Sequence, residues 1–212
     1  MSNFNDFYKL IIIKEEEKES ALNFLRLRGI DEHIYVANHL TKLLKRKPTY
    51  SEVETTLRYD KRIRRVLYKY IGTIEEIARA DISNEYKLVK DLPIKRNSKQ
   101  KRTFSYLSSL TFKALFDVYK DVKNELDYKS FKMTNFDEKV SKLISLRNKV
   151  SHNRFLLSKL NISDIENLVE FLPTEIANSF LVDLAKTSKE KLEQKFKTQA
   201  QWTLPQEVVI KI

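Results

Sequence analysis

Apolar residues recur every three or four positions through most of the chain, the spacing that places them on one face of an α-helix. This pattern predicts helices at about residues 15–28, 31–46, 52–84, 103–128, 136–152, 163–172 and 174–198. The C-terminal residues "VVIKI" fit either a short strand or an ordered tail. The periodicity therefore predicts an all-α fold.

The strongest amphipathic pattern lies in the segment 52–84, which pairs an apolar stripe with a basic face. The stripe consists of Ile63, Val66, Leu67, Tyr70, Ile71, Ile74, Ile77 and Ala78. Helical spacing puts these side chains on one side, so we expect them in the core.

Composition supports the same fold class. The 212 residues include 2 Gly and 4 Pro, too few for a protein built from short strands and tight hairpins. With 42% hydrophobic residues the chain can bury one core, so we expect a single helical domain over residues 1–212.

Several kinds of chemistry are excluded or disfavoured by residue content. No cysteine is present, which excludes disulfides, thiolate metal sites and cysteine nucleophiles. The histidines stand apart at His33, His39 and His152, so we expect neither a metal site nor a cofactor, and we interpret the first two as ordinary helix residues. The apolar run Leu10–Ile13 is too short for a membrane span or signal peptide, so we expect a cytoplasmic protein without a membrane partner.

Net charge favours a polyanionic partner. Forty Lys and Arg against 29 Asp and Glu give +11. On the polar side of segment 52–84, one basic ridge carries like charges at i, i+4, i+7 and i+11: Arg58, Arg62, Arg65 and Lys69. Either this ridge is a solvated face, or it contacts phosphates.

A basic loop, "KLVKDLPIKRNSKQKRT", follows that segment. Its cations are opposed only by Asp91 and comprise Lys87, Lys90, Lys95, Arg96, Lys99, Lys101 and Arg102. The loop is either a charged linker or an arm that becomes ordered on a nucleic-acid backbone.

The stretch "RNKVSHNR", Arg147 to Arg154, ends the predicted helix 136–152. Arg147 projects from the apolar side formed by Val140, Leu143, Ile144 and Val150 and therefore needs a partner.

Asn148 and His152 share another face of that helix with Ser141 and Ser145. These short polar side chains suggest close approach by another surface. Arg147 and His152 are about 140° apart around a regular helix, so one helix cannot easily aim both at one phosphate. Either the helix ends near Val150, or two copies share a cleft across a dimer axis.

Two regions resemble a known family. Arg147, Asn148 and, after three further residues, His152 resemble the active-site motif of HEPN-family ribonucleases. The segment Leu57 to Ser83 is similar to the helix that precedes this motif in the abortive-infection (Abi D/F, Abi-like) group of that family. The resemblance covers about Leu57 to Arg154.

The resemblance implies a HEPN-like bundle of long antiparallel helices that forms a homodimer and cuts RNA without metal. It also implies a toxin of phage defence, restrained by a partner such as a small structured RNA, and related to the nuclease units of type VI CRISPR effectors. The domain would comprise N-terminal helices of unassigned role in 1–50, a core in 52–172, and a C-terminal helix and tail in 173–212.

The residue types suit this chemistry. RNA carries its own nucleophile, the 2′-hydroxyl, so cleavage requires proton transfer and stabilisation of charge at phosphorus. Imidazole changes charge near neutral pH, so His152 can transfer the proton. Arg147 can bind phosphate oxygens, and Asn148 can orient the histidine or hold the phosphate. We expect the basic ridge, the loop from Lys95 to Arg102 and Arg154 to bind RNA.

Other interpretations stay open. Asn148 and His152 could cap a helix while Arg147 pairs with a carboxylate on the predicted helix 163–172. The chain could also be an RNA-binding module without turnover, in which the motif helix serves dimerisation. A basic protein-interaction bundle is a further alternative, but it gives the ridge and loop no role.

Overall fold

The computed structural model describes residues 2–93, 102–152, 155–187 and 204–210. Within these residues the α-helices are α1 (Ser2–Leu10), α2 (Lys18–Arg28), α3 (Ile30–Leu44), α4 (Tyr50–Glu85), α5 (Thr103–Ser108), α6 (Phe112–Val122), α7 (Phe136–His152), α8 (Ile162–Glu170) and α9 (Thr174–Ala185). In the same ranges, extended pairing is limited to the isolated bridges Ile12–Thr49 and Leu88–Arg102. The predicted all-α fold class is confirmed.

The chain divides into two compact units. Unit 1 comprises Met1–Val66, His152–Leu160 and Leu181–Ile212, and unit 2 comprises Leu67–Ser151 and Asn161–Phe180. The divisions fall inside α4, α7 and α9, so each of these helices contributes residues to both units.

In unit 1, α1 and α2 pack on α3. The ring of His33 is fully buried and meets the rings of Phe7 and Phe24 edge-on, at centroid distances of 5.9 and 5.3 Å. Its Nδ1 donates a hydrogen bond to the carbonyl of Gly29 at 2.9 Å. Our sequence prediction missed α1, because a helix this short depends on tertiary packing, here through the buried Phe7.

The break between α2 and α3 occurs at Gly29, which has φ +84°. Side chains disfavour this backbone conformation, so glycine ends one helix and starts the next without strain. The boundary predicted between residues 28 and 31 is therefore confirmed.

The described part of the C-terminal tail is ordered and belongs to unit 1. Residues Gln206–Val208 form a 3-10 turn, and Leu204 and Val208 are buried. The backbone N–H of Ile210 donates to the Tyr59 hydroxyl at 3.1 Å. Of the two interpretations of the tail, the ordered tail is the one observed for these residues.

Unit 2 is built around a cluster of aromatic rings. Phe131 lies within 5.1–6.3 Å, centroid to centroid, of each of its four ring neighbours: Phe116, Tyr119, Phe136 and Phe171. These rings come from α6, α7, the segment before α7 and the end of α8. All five rings are buried, so they form a core for this unit.

The helix predicted at 103–128 is two helices, α5 and α6, and α6 ends at Val122. The hydroxyl of Ser109 donates to the carbonyl of Tyr106 at 2.7 Å, which competes with helical hydrogen bonding. Thr111 then accepts from the N–H of Ala114 at 3.3 Å and caps α6. The helix predicted at 174–198 is described as α9 to Ala185, and residues 188–203 lie outside the described ranges.

A buried carboxylate on α4 holds the segment between α6 and α7. Asp81 accepts hydrogen bonds at 2.8 Å from the Tyr119 hydroxyl and from both the N–H and the hydroxyl of Ser130. Burial, followed by the hydrogen bond to Asp81, raises the pKa of Tyr119, so this phenol stays protonated as a donor.

We expect Asp81→Ala to lower the free energy of unfolding by about 2–4 kcal/mol, because the Tyr119 hydroxyl and the Ser130 N–H would lose their acceptor in the interior. Urea denaturation followed by circular dichroism measures this change. The exposed Asp121 on α6 provides the control. Asp121→Ala should stay within about 0.5 kcal/mol of wild type, and equal losses for the two variants would contradict the assigned role of Asp81.

Candidate active site

Helix α7 carries the motif and is positioned by one apolar side. Phe136, Val140, Leu143, Leu146 and Val150 are buried. The prediction that the apolar side of this helix faces the core is thus confirmed for Val140, Leu143 and Val150. Ile144 is half-buried, and Leu146, which we had not assigned to this side, lies in the core instead.

Arg147 lies at the edge of this apolar side and is half-buried. Its carbonyl accepts from the Ser151 hydroxyl at 2.8 Å. Among the described residues, no carboxylate pairs with its guanidinium and no other side chain or carbonyl accepts from it. Its charge is therefore available to an anion.

The carboxylate on the following helix is occupied by another cation. Lys149 Nζ lies 2.7 and 3.0 Å from the two carboxylate oxygens of Asp164 on α8. Asp164 also accepts from the N–H of Asn161 at 2.9 Å as part of the capping box that begins α8. In the structure it is therefore Lys149, and not Arg147, that pairs with a carboxylate of this helix.

The small polar face predicted on α7 is exposed throughout. Ser141, Ser145, Asn148 and His152 all face solvent in the described structure. Within the described ranges, neither Asn148 nor His152 makes a side-chain hydrogen bond, so the helix-capping alternative finds no bond there to support it. The face can be approached by another molecule.

The helix is uninterrupted from Phe136 to His152. It extends two residues beyond Val150, so the motif histidine is still helical. At about 100° per residue, Arg147 and His152 keep an angular separation of about 140° around the axis. The structure thus places both residues on one helix but does not bring them to one point.

The first cation of the basic ridge is already paired. Arg58 forms an ion pair with Glu54, one turn earlier, and its guanidinium carbon lies 5.6 Å from the ring centroid of Phe24. Glu54 therefore interrupts the purely basic ridge at its N-terminal end. Arg58 is a weaker candidate for a phosphate contact than its position alone indicated.

The two arginines in the middle of the ridge are not neutralised by a described carboxylate. Arg62 is half-buried, Arg65 is exposed, and neither has an ion pair among the described residues. Burial lowers the pKa of Arg62, and the charges of Arg58 and Arg65 lower it further. An anion near Arg62 and Arg65 would relieve this repulsion. Lys69 is exposed, and its Nζ lies 4.7 Å from the Tyr70 ring centroid.

The ends of the basic loop are held together. The N–H of Thr103 donates to the carbonyl of Lys87 at 3.2 Å, next to the bridge between Leu88 and Arg102. Arg102 is exposed. The other predicted RNA-binding cations of the loop lie outside the described residues: Lys95, Arg96, Lys99 and Lys101. Arg154 lies outside them as well.

Sequence reasoning missed Asp60, the acid on α4 that contacts the segment following the motif. Asp60 is buried and accepts from the N–H of Leu157 at 2.8 Å. The signal was present in the sequence, since Asp60 shares a helix face with Ile63 and Leu67 of the apolar stripe. A carboxylate on a core face requires buried donors.

A cavity of about 190 Å³ lies in unit 1 beside the ridge. Its lining mixes apolar and charged side chains: Phe24, Glu32, Leu57, Asp60, Lys61 and Arg64. Asp60, its buried carboxylate, is already bonded to Leu157 and Arg64, so we assign the cavity no part in the chemistry.

No family model, curated protein or solved structure matches the chain. Among the described residues, no helix is both long and apolar enough to cross a membrane. Within those same ranges, no three His, Asp or Glu side chains are grouped as metal ligands would be.

We expect neutralisation of Arg62, Arg65 and Lys69 to glutamine to weaken RNA binding. The slope of log affinity against log salt should flatten by about one unit for each lost phosphate contact. The same is expected for joint neutralisation of Lys95, Arg96, Lys99, Lys101 and Arg102. Filter binding over a range of salt concentrations measures both quantities.

A control with the same change in net charge separates local contacts from overall charge. Lys9, Lys18 and Lys113 are exposed cations paired with Asp6, Glu15 and Asp117. Their joint change to glutamine should have a smaller effect than the ridge variant. Wild-type affinity and slope in both the ridge and loop variants would disprove the phosphate contacts.

Proposed function

We propose that this chain is a metal-independent endoribonuclease of the HEPN type. The observation that carries the proposal is the state of Arg147, a half-buried cation on α7 that pairs with no carboxylate in the described structure. Two residues further on, Lys149 takes the nearby Asp164. A half-buried guanidinium that pairs with no carboxylate among the described residues favours an anionic ligand, and its fork matches a phosphate.

The proposed reaction is attack of the RNA 2′-hydroxyl on the adjacent phosphorus. His152 removes the 2′ proton or protonates the departing 5′ oxygen, and its exposure on the last turn of α7 leaves it accessible to RNA. Arg147 stabilises the negative charge that develops on the phosphate oxygens. Asn148, one turn before His152, orients the imidazole or holds the phosphate.

The proposed working unit is a homodimer with two motif helices in one cleft. The support is geometric, because α7 continues to His152 and keeps Arg147 and His152 on different sides. In a symmetric pair, Arg147 of one protomer and His152 of its partner could address the same phosphate. The exposed serines at 141 and 145 leave room for this approach.

The proposed biological role is that of a toxin in an anti-phage abortive-infection or toxin–antitoxin system. It rests on the resemblance of Leu57 to Arg154 to the Abi D/F group. A structured RNA is the proposed antitoxin, and Arg62 and Arg65, which have no ion pair within the described part of the chain, offer contacts for it.

The second candidate function is an RNA-binding module without turnover. The repulsion among the positive charges of Arg62, Arg58 and Arg65 favours RNA binding with or without cleavage. The two functions differ in the product. Incubation of purified protein with RNA and a chelator should give fragments ending in 2′,3′-cyclic phosphate only for the nuclease.

We expect His152→Ala and Arg147→Ala each to lower the cleavage rate by about 10²–10⁴-fold while leaving the fold and most RNA binding intact. Single-turnover cleavage of a labelled RNA measures the rate. Lys142, exposed on the same helix, provides the control, and Lys142→Ala should cut normally. Undiminished cleavage by a well-folded His152→Ala protein would eliminate the nuclease hypothesis.

We expect Ser145→Trp or Ser141→Glu to give a folded monomer that has lost cleavage, although each chain keeps both motif residues. Bulk or charge on this face would block the approach of a second α7. Sedimentation velocity reports the mass, and the cleavage assay reports the activity.

Ser179 on α9 is a matched control. Like Ser141, it is exposed, and its hydroxyl donates to the carbonyl four residues earlier. Ser179→Glu should therefore stay dimeric and active. A wild-type protein that stays monomeric with RNA bound, yet cuts at full rate, would rule out the shared cleft.

A further inference from the structure

The segment that follows α7 is anchored to α4 by Asp60. This aspartate is 3% exposed, and one carboxylate oxygen accepts from the N–H of Leu157 at 2.8 Å. The other oxygen accepts from Arg64 at 3.0 Å. The carboxylate therefore binds the chain through a main-chain group that any residue at position 157 would offer, with the exception of proline.

Neighbouring side chains hold the same segment from a second direction. Phe155 is 2% exposed, and its ring centroid lies 5.3 Å from that of His39 and 6.1 Å from that of Tyr35. The hydroxyls of Tyr35 and Ser158 lie 3.3 Å apart. Residues 155–158 are thus held on α3 and α4 within unit 1.

This anchored segment lies close to His152 along the chain. Three residues of extended chain span at most about 10 Å, so the anchor at Phe155 limits how far His152 can move. His152 and residues 155–158 also belong to the same compact unit. The anchored segment therefore limits the region that His152, at the end of α7, can occupy.

Burying the Asp60 carboxylate costs free energy, so this contact is stable only with its donors in place. Burial raises the pKa of Asp60, while the hydrogen bond from Leu157 and the charge and hydrogen bond of Arg64 oppose that shift. A desolvated carboxylate tolerates few arrangements of its donors, because each lost hydrogen bond leaves polar groups buried without partners. An apolar contact would permit sliding that this one does not.

We infer that Asp60 is a positioning residue for His152, acting through the backbone of Leu157. Its catalytic consequence rests on the proposed nuclease function, whereas the positioning itself does not. Asp60 touches no reacting atom in this role. It fixes the place from which the imidazole is presented.

The first test uses the free protein and does not depend on activity. In Asp60→Ala, amide exchange at Leu157 should rise at least tenfold, and the ¹³Cα shift of His152 should move toward its coil value. Asp60→Asn keeps one acceptor, so both changes should be smaller. Faster exchange at Leu157 with an unchanged His152 shift, in either variant, would overturn the inference.

The second test compares Asp60 with Asp81, a buried aspartate on the same helix. Asp81 also accepts a backbone N–H, but from Ser130, in the segment that precedes α7. In single-turnover and steady-state assays, Asp60→Ala should lower kcat at least tenfold with KM within about twofold, and Asp60→Asn should restore part of the rate. Asp81→Ala, assayed at a temperature where it is folded, should retain kcat.

Equal loss of kcat in Asp60→Ala and Asp81→Ala would reduce Asp60 to a general stability role and overturn the inference. The outcomes for the proposed function are separate. If the wild-type protein does not cut RNA, the nuclease proposal fails, and the exchange and ¹³Cα measurements still decide whether Asp60 positions His152.

Discussion

Both units depend on how two of the buried carboxylates of α4, Asp60 and Asp81, are satisfied. Removing a carboxylate from water costs several kcal/mol even after relaxation, and only well-placed donors offset that cost. Asp60 finds them in unit 1 at Leu157 and Arg64, and Asp81 finds them in unit 2 at Tyr119 and Ser130. The apolar stripe drives burial of α4, but these acids decide which backbone segments lie against it.

The distribution of ion pairs determines which positive charges remain for a ligand. Two partly buried pairs show this effect on local charge. Glu54 compensates Arg58, and Asp164 compensates Lys149, whereas Arg62 and Arg147 have no such partner among the described residues. The places where the described cations lack a nearby carboxylate are therefore more informative than the net charge of +11.

Helix α7 shows how one element can carry two separate requirements. Its apolar side secures it in unit 2, and Lys149 fixes it to the N-terminus of α8. Its opposite side stays small, polar and exposed. The proposed chemistry needs Arg147 and His152 together, and a regular helix places them on different sides, which is why we propose that a second helix comes from a partner.

The sequence by itself determined the helical class, most of the apolar stripe on α4 and the exposed face of α7, because these depend on a repeat of 3.6 residues along the chain. It also located the turn at Gly29, where the residue type carries the conformation. It could not locate α1, the interruption between α5 and α6, or the partners of Lys149 and Asp60. Those features depend on contacts between residues far apart in sequence, such as Asp60 with Leu157 and Lys149 with Asp164, which have no periodic signature. The tertiary structure alone decided which charges were compensated, because donors and acceptors meet only after the helices have packed.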